Sequence, residues 1–203
     1  MSAEEAPKRL IIGISGATGV QIAVELLRAM RDYPEWETHL IISRGGRRTI
    51  AEETSYSIEE VKSLAGQCHA LDDIGASIAS GTFKTEGMVV VPCSMKTAAG
   101  IANGFSQTLL LRAADVVIKE LRKLVLVARE SPLSPVHLKN LLELSRLGAI
   151  IMPPMLTFYN HPLTVDDMVA QVVGRIMDVF GLELKTFRRW KSSASTAEDL
   201  RSV

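Results

Sequence analysis

The sequence predicts an α/β protein built on a doubly wound parallel sheet with helices on both faces, folded as a single domain. Three observations predict it. Short runs of Val, Ile and Leu are unbroken by polar residues, as in strands covered on both faces. Most of these runs end in glycine, serine or proline. Longer segments with apolar residues at helical spacing lie between the runs, where parallel strands need crossover helices.

The first strand is expected at residues 9–14, and the following loop leads into a helix at 20–31 whose stripe is Val20, Ala23, Val24, Leu27 and Met30. A second strand at 38–43 precedes a short helix at 47–53. Ser57-Ile58-Glu59-Glu60 spells a capping box, so a third helix should run through Leu64. Residues 68–83 carry Gly75 and Gly81 without periodicity and read as a solvent loop with no chemistry. Strands at 87–92, 123–128 and 149–153 then alternate with helices at 107–121, 135–147 and 164–180. Residues 1–8 are expected to be a flexible N-terminus and 191–203 a tail, leaving 9–190 as the domain.

Composition narrows the function. Lys and Arg number 23 and so do Asp and Glu, which gives no electrostatic case for nucleic acid or an anionic membrane. Any anion must therefore be held by a local cluster of donors. No apolar stretch approaches the ~20 residues of a membrane span, and the N-terminus has no apolar core of a secretory signal. Cys68 and Cys93 are too far apart for a redox or zinc pair, so a reducing, cytoplasmic setting is expected. Metal binding is not expected either. His39, His69, His137 and His161 lack ligand spacing, and Asp72-Asp73 lacks the continuation of a D-D-x-x-D pair.

Four loops follow expected strands, at the sheet edge where open parallel sheets bind ligands. In Gly13-Ile-Ser-Gly-Ala-Thr-Gly19 the spacing is G-x-x-G-x-x-G, which matches neither the dinucleotide fingerprint nor the P-loop. It is either a tight strand-to-helix turn or a loop that lets backbone amides approach an anion. Ser43 ends the second strand, as an N-cap or as a ligand contact. Ser94-Met95-Lys96-Thr97 follows the third, next to Cys93, which reads as a small buried thiol more readily than as a nucleophile. Arg129-Glu130 closes the fourth, as a surface ion pair or as an anion clamp beside a proton-transfer carboxylate.

In order and wording these stretches resemble the UbiX/Pad flavin prenyltransferase family, within the Rossmann/flavodoxin-like flavoproteins. The matching segments are GISGATGVQIA, LIISRGG, VVVPCSMKTAAGIANG, LLLRAADVVIKELRKLVLVARESPLSPVHLKNLLELSRLGAIIMPP and FYNHP, spanning 8–190. The resemblance implies transfer of a dimethylallyl group from dimethylallyl phosphate to N5 and C6 of reduced FMN, without a metal, making prenylated FMN for a UbiD-type decarboxylase. It implies FMN contacts at Gly16, Ala17, Thr18, Ser43, Ser94, Met95, Lys96, Thr97 and Arg129. Phosphate contacts fall on Tyr159 and Arg175, with Lys119, Arg112 and Arg129 as neighbouring cations. Glu53 and Glu130 take the acid/base positions, Thr18 that of a hydroxyl relay, and Trp190 that of an aromatic face for the prenyl cation. Many relatives carry serine at the Thr18 position, so the hydroxyl is kept and a methyl added. The resemblance also implies a dodecamer with sites between subunits. A flavin-dependent decarboxylase of the same fold and a non-catalytic flavin carrier remain the alternatives.

Overall fold

Six parallel strands form one sheet in the order β3-β2-β1-β4-β5-β6. They are β1 (Lys8–Ile14), β2 (Trp36–Ile42), β3 (Gln67–His69), β4 (Gly87–Cys93), β5 (Lys123–Ala128) and β6 (Ile150–Ile151). The helices are α1 (Val20–Met30), α2 (Arg44–Glu53), α3 (Ile58–Ser63), α4 (Met95–Ala102), α5 (Leu109–Lys119), α6 (Pro135–Arg146) and α7 (Val165–Val179). The computed structural model describes residues 6–190. Contacts divide the chain into two compact units, Met1–Pro154 with the sheet and Met155–Val203 with α7.

The two sheet faces follow from the period of two along each strand. Ile11, Ile41, Met88, Val90, Leu124 and Leu126 pack with residues of α4, α5 and α6 in one buried cluster. Leu10, Ile12 and Val89, equally buried, lie on the alternate face, the side taken by α1 after its crossover from β1 to β2. Each such side chain contributes roughly 1.5–3 kcal/mol of burial. Strand order reverses between β1 and β4, because the chain first winds outward to β3 and then returns to the other side of β1.

Several local expectations need correction. Residues 67–69, at the edge of the expected loop, form β3, which pairs only with β2 and so carries no apolar run to announce it. Residues 95–102 form α4, capped by the Ser94 side chain, which accepts from the Thr97 amide. The expected strand at 149–153 shrinks to Ile150–Ile151; Pro153 and Pro154 have no N–H to give a ladder. The expected capping box at Ser57 is present, and the structure adds one at Ser134, whose partner is His137. Lys8 is already in β1, with its amide on the Glu35 carbonyl at 2.9 Å, so the flexible start does not reach residue 8. Residues 1–5 and the expected tail at 191–203 lie outside the described residues.

Candidate functional site

The loops at the carboxyl edge are joined to one another by short hydrogen bonds. The Ser43 amide donates to the Ile14 carbonyl at 2.9 Å, which joins the β2 loop to the end of β1. Ser15, fully buried, donates its hydroxyl to the Pro92 carbonyl at 2.8 Å and accepts the Ser94 amide at 2.8 Å. The Arg129 amide donates to the Cys93 carbonyl at 3.0 Å, so the β5 loop is held against the β4 loop. The four loops therefore form a continuous rim across the point where strand order reverses, the place where open α/β sheets bind ligands.

Within that rim the glycine loop is held by a carboxylate. Glu53 Oε2, at the end of α2, accepts the amides of Gly19 at 2.8 Å and Val20 at 3.3 Å. Gly19 sits at φ 103°, a conformation costly for any residue with a Cβ. A Cβ on Gly16 would lie 2.9 Å from the Gly45 Cα, so the first two loops approach as closely as they do only because both positions are glycine. The exposed Gly16 and Thr18 complete this side of the rim.

Hydroxyl polarity on the rim can be read from its partners. Ser43 accepts the Gly46 amide at 2.9 Å and keeps its own proton to donate. Ser94 accepts the Thr97 amide and donates to Thr97 Oγ1 at 3.1 Å, leaving the Thr97 proton for another acceptor. Glu130 is exposed, with Oε1 accepting the Ser131 amide at 3.0 Å, and Arg129 is exposed beside it. Close backbone without Cβ atoms, unspent hydroxyl protons and the cations Lys96 and Arg129 make a surface suited to a flat, anionic heterocycle such as FMN.

Comparison with known proteins agrees with this geometry. The Flavoprotein family model matches residues 1–177. A probable UbiX-like flavin prenyltransferase from Streptomyces sp. (strain D7) is 53% identical, covering 96% of this chain and 97% of its own length. The chain belongs to the UbiX-like flavin prenyltransferase family. A solved member, the dodecameric FMN-dependent UbiX-like decarboxylase from Escherichia coli O157:H7, superposes with a TM-score of 0.89 at 54% identity, covering 91% of this chain and all of that one. AnUbiX (PadA1), solved with FMN and dimethylallyl pyrophosphate, also gives 0.89, at 45% identity over 92% of this chain and 98% of its own.

In this flavin prenyltransferase the rim gathers Gly16, Ala17, Thr18, Ser43, Glu53, Ser94, Lys96, Thr97, Arg129 and Glu130. The Met95 side chain is 8% exposed and belongs to the apolar cluster under α4. Only its backbone remains for a ligand. Lys119 is not brought to the rim. It ends α5 and pairs with Glu120, and the six residues of β5 that follow run from the amino edge of the sheet to Arg129. At about 3.3 Å per residue that separates the two cations by roughly 20 Å. Arg112, one helix turn into α5, is bound to Asp115 at 2.8 Å.

Three expected site residues lie in the second unit. The Tyr159 and Trp190 rings meet edge to face at 5.2 Å, the Trp190 side 65% exposed. Arg175 pairs with Asp178 at 3.2 Å within α7, and Arg189 shares the same carboxylate. Gln171, which the sequence reading passed over, is 3% exposed and donates to the Tyr159 hydroxyl at 2.8 Å. A glutamine amid apolar residues on a long helix was its only signal.

One further cluster lies off the rim. His39 Nδ1 and His69 Nε2 are 2.9 Å apart, His39 Nε2 is 3.3 Å from Glu37, and Arg9 donates to the same carboxylate at 3.1 Å. Burial lowers the pKa of His39, outweighing Glu37, and burial likewise lowers His69. The four histidines are scattered in sequence, and only β2–β3 pairing brings these two together. Among the described residues no His/Cys/Asp/Glu group has metal-binding geometry. Cys93 is fully buried and its thiol is pushed up to about 12 by desolvation, which removes it as a nucleophile.

Proposed function

We propose that this flavin prenyltransferase takes its dimethylallyl group from dimethylallyl phosphate and transfers it to N5 and C6 of reduced FMN seated on the carboxyl-edge rim. The observation that carries the reading is the continuous four-loop rim, with Glu53 behind the glycine loop and Arg129-Glu130 at the β5 end. Bound reduced FMN supplies the nucleophilic ring atoms. The chain supplies the remainder. Thr97 and Ser43 donate to flavin acceptors, Arg129 offsets its negative charge, and Glu130, unshielded at the strand end, accepts the proton released on ring closure. Glu53 and the Thr18 hydroxyl serve that proton movement from the glycine-loop side.

Loss of phosphate from an allylic carbon leaves a cation and adds negative charge to the leaving group. Tyr159 and Arg175 stabilise the second and the Trp190 face the first. Lys119 cannot join Arg129 within one chain, because the length of β5 lies between them. It acts, together with Arg112 of the same helix, on the site of a neighbouring subunit in a dodecamer. The exposed Val136, Leu138 and Leu142 of α6 supply apolar surface for such an assembly. Its product passes to a UbiD-type decarboxylase. None of the described helices is long and apolar enough to cross a membrane, and the two free thiols suit the cytoplasm.

The test is anaerobic incubation of the purified protein with reduced FMN and either dimethylallyl monophosphate or diphosphate, followed by mass spectrometry of the flavin. A five-carbon addition from the monophosphate is expected, and unchanged flavin from FMN-loaded protein would sink the reading. The E130Q variant should hold FMN and lose most product formation; a carrier would show no product with either chain.

A further inference from the structure

We propose that Gln171 is a positioning residue that turns the Tyr159 hydroxyl proton outward, toward the phosphate of the prenyl donor. This rests on the reading of Tyr159 as a phosphate contact. Gln171 Nε2 lies 3.3 Å from the Arg188 carbonyl, a group that can only accept, so this end of the side chain is the NH2. The same nitrogen lies 2.8 Å from Tyr159 Oη. At the other end, Oε1 accepts from Asn160 Nδ2 at 3.4 Å, and Asn160 Oδ1 in turn accepts the Thr157 hydroxyl at 3.3 Å. Every amide in this chain thus has the same sense, and none can be reversed without setting two acceptors against each other.

The consequence falls on the phenol. A tyrosine hydroxyl has one proton, and one that accepts from Gln171 must give that proton to something else. Tyr159 is 41% exposed, so an external acceptor has access to it. The unprotonated oxygens of a phosphate dianion only accept. If the position held an acceptor instead, the phenol proton would be drawn inward and two lone pairs would face the phosphate. Gln171 also ties the Arg188 backbone, two residues before Trp190, to the Tyr159 loop, alongside the Arg188 guanidinium, which donates to the Asn160 carbonyl at 3.0 Å.

A double-mutant cycle tests this with Q171M, Y159F and the pair, each as the full chain loaded with FMN. Inorganic phosphate binding is measured by titration calorimetry, FMN affinity by fluorescence, and KM and kcat for dimethylallyl phosphate by product formation. Q171M should weaken phosphate binding about tenfold with Tyr159 present, the weight of one hydrogen bond to a charged group, and less than twofold in the Y159F background. FMN affinity should stay within twofold, and KM should rise more than kcat falls. Q171E keeps the size and the Asn160 contact but replaces the donor by an acceptor, and it should weaken phosphate binding as well. Equal losses in both backgrounds, wild-type phosphate binding in Q171M or Q171E, or no phosphate binding by the wild type would each overturn the proposal. Absence of prenylated flavin from the wild type would overturn the catalytic reading instead, while the phosphate cycle still reports on Gln171.

Discussion

Replacing Ser15 with alanine should weaken both the fold and flavin binding, because this hydroxyl joins β1 to β4 where strand order reverses. Two bonds disappear with it. The Pro92 carbonyl still accepts the Ser15 amide at 3.2 Å, so that acceptor keeps a partner and only the net value of one bond, about 0.5–1.5 kcal/mol, is lost. The Ser94 amide loses the hydroxyl at 2.8 Å and is left without a partner in a site that is 0% exposed at Ser15, at a cost of about 1–3 kcal/mol. The total is about 1.5–4.5 kcal/mol. With a urea m-value near ~2 kcal/mol/M, the unfolding midpoint should fall by about 1–2 M. The comparison must be made at one protein concentration, since an oligomer's stability depends on it. Ser94 also caps α4 on the rim, so FMN affinity should fall in parallel. A stability loss below about 0.5 kcal/mol, or unchanged FMN affinity, would refute the argument that this hydroxyl holds the loops together.

Three other expectations follow from the site and its surroundings. E53A should weaken FMN binding about tenfold by freeing the Gly19 and Val20 amides, whereas E53Q, whose amide oxygen still accepts them, should lose only the charge–dipole part of about 0.3–1 kcal/mol; equal binding by both variants and the wild type contradicts this. A thiol reagent at about pH 8 should label the exposed Cys68 alone, with Cys93 reacting only after unfolding, because burial holds its thiol at about 12. His39 and His69 have folded pKa values below their ordinary 6.5, so the unfolded chain binds more protons once the pH drops through that value. Stability should therefore be complete above about pH 6.5 and fall as the pH is lowered toward 5, more steeply than in H39Q, and a flat profile in the wild type would be the contrary result.

The five principal strand positions and most helices were legible because their signals are local. An unbroken apolar run such as Leu124–Val127 needs no partner to be recognised, and the Ser57 box acts within four residues. β3 and α4 escaped for opposite reasons. β3 is a three-residue edge strand that depends on β2, and α4 sits where Ser-Met-Lys-Thr reads equally as a binding loop and as a capped helix start.

The site residues divide along the same line. Sequence by itself determined the α/β architecture, the family and the chemical types present at each strand end, since each is written in contiguous residues. Only the tertiary structure decided that Ser15 joins the two central strands, that Glu53 reaches across 34 residues to the glycine loop, and that His39 meets His69. It also separated Lys119 from Arg129 by the length of β5 and turned Met95 into the core. The physical reason is range. Apolar periodicity and capping act over a turn or a strand, whereas a hydrogen bond between side chains far apart in sequence exists only once the sheet has brought their strands side by side. The opening glycine loop shows both halves. Its letters announced a turn open to a ligand, and the carboxylate that holds its amides was set by the packing of α2 against α1.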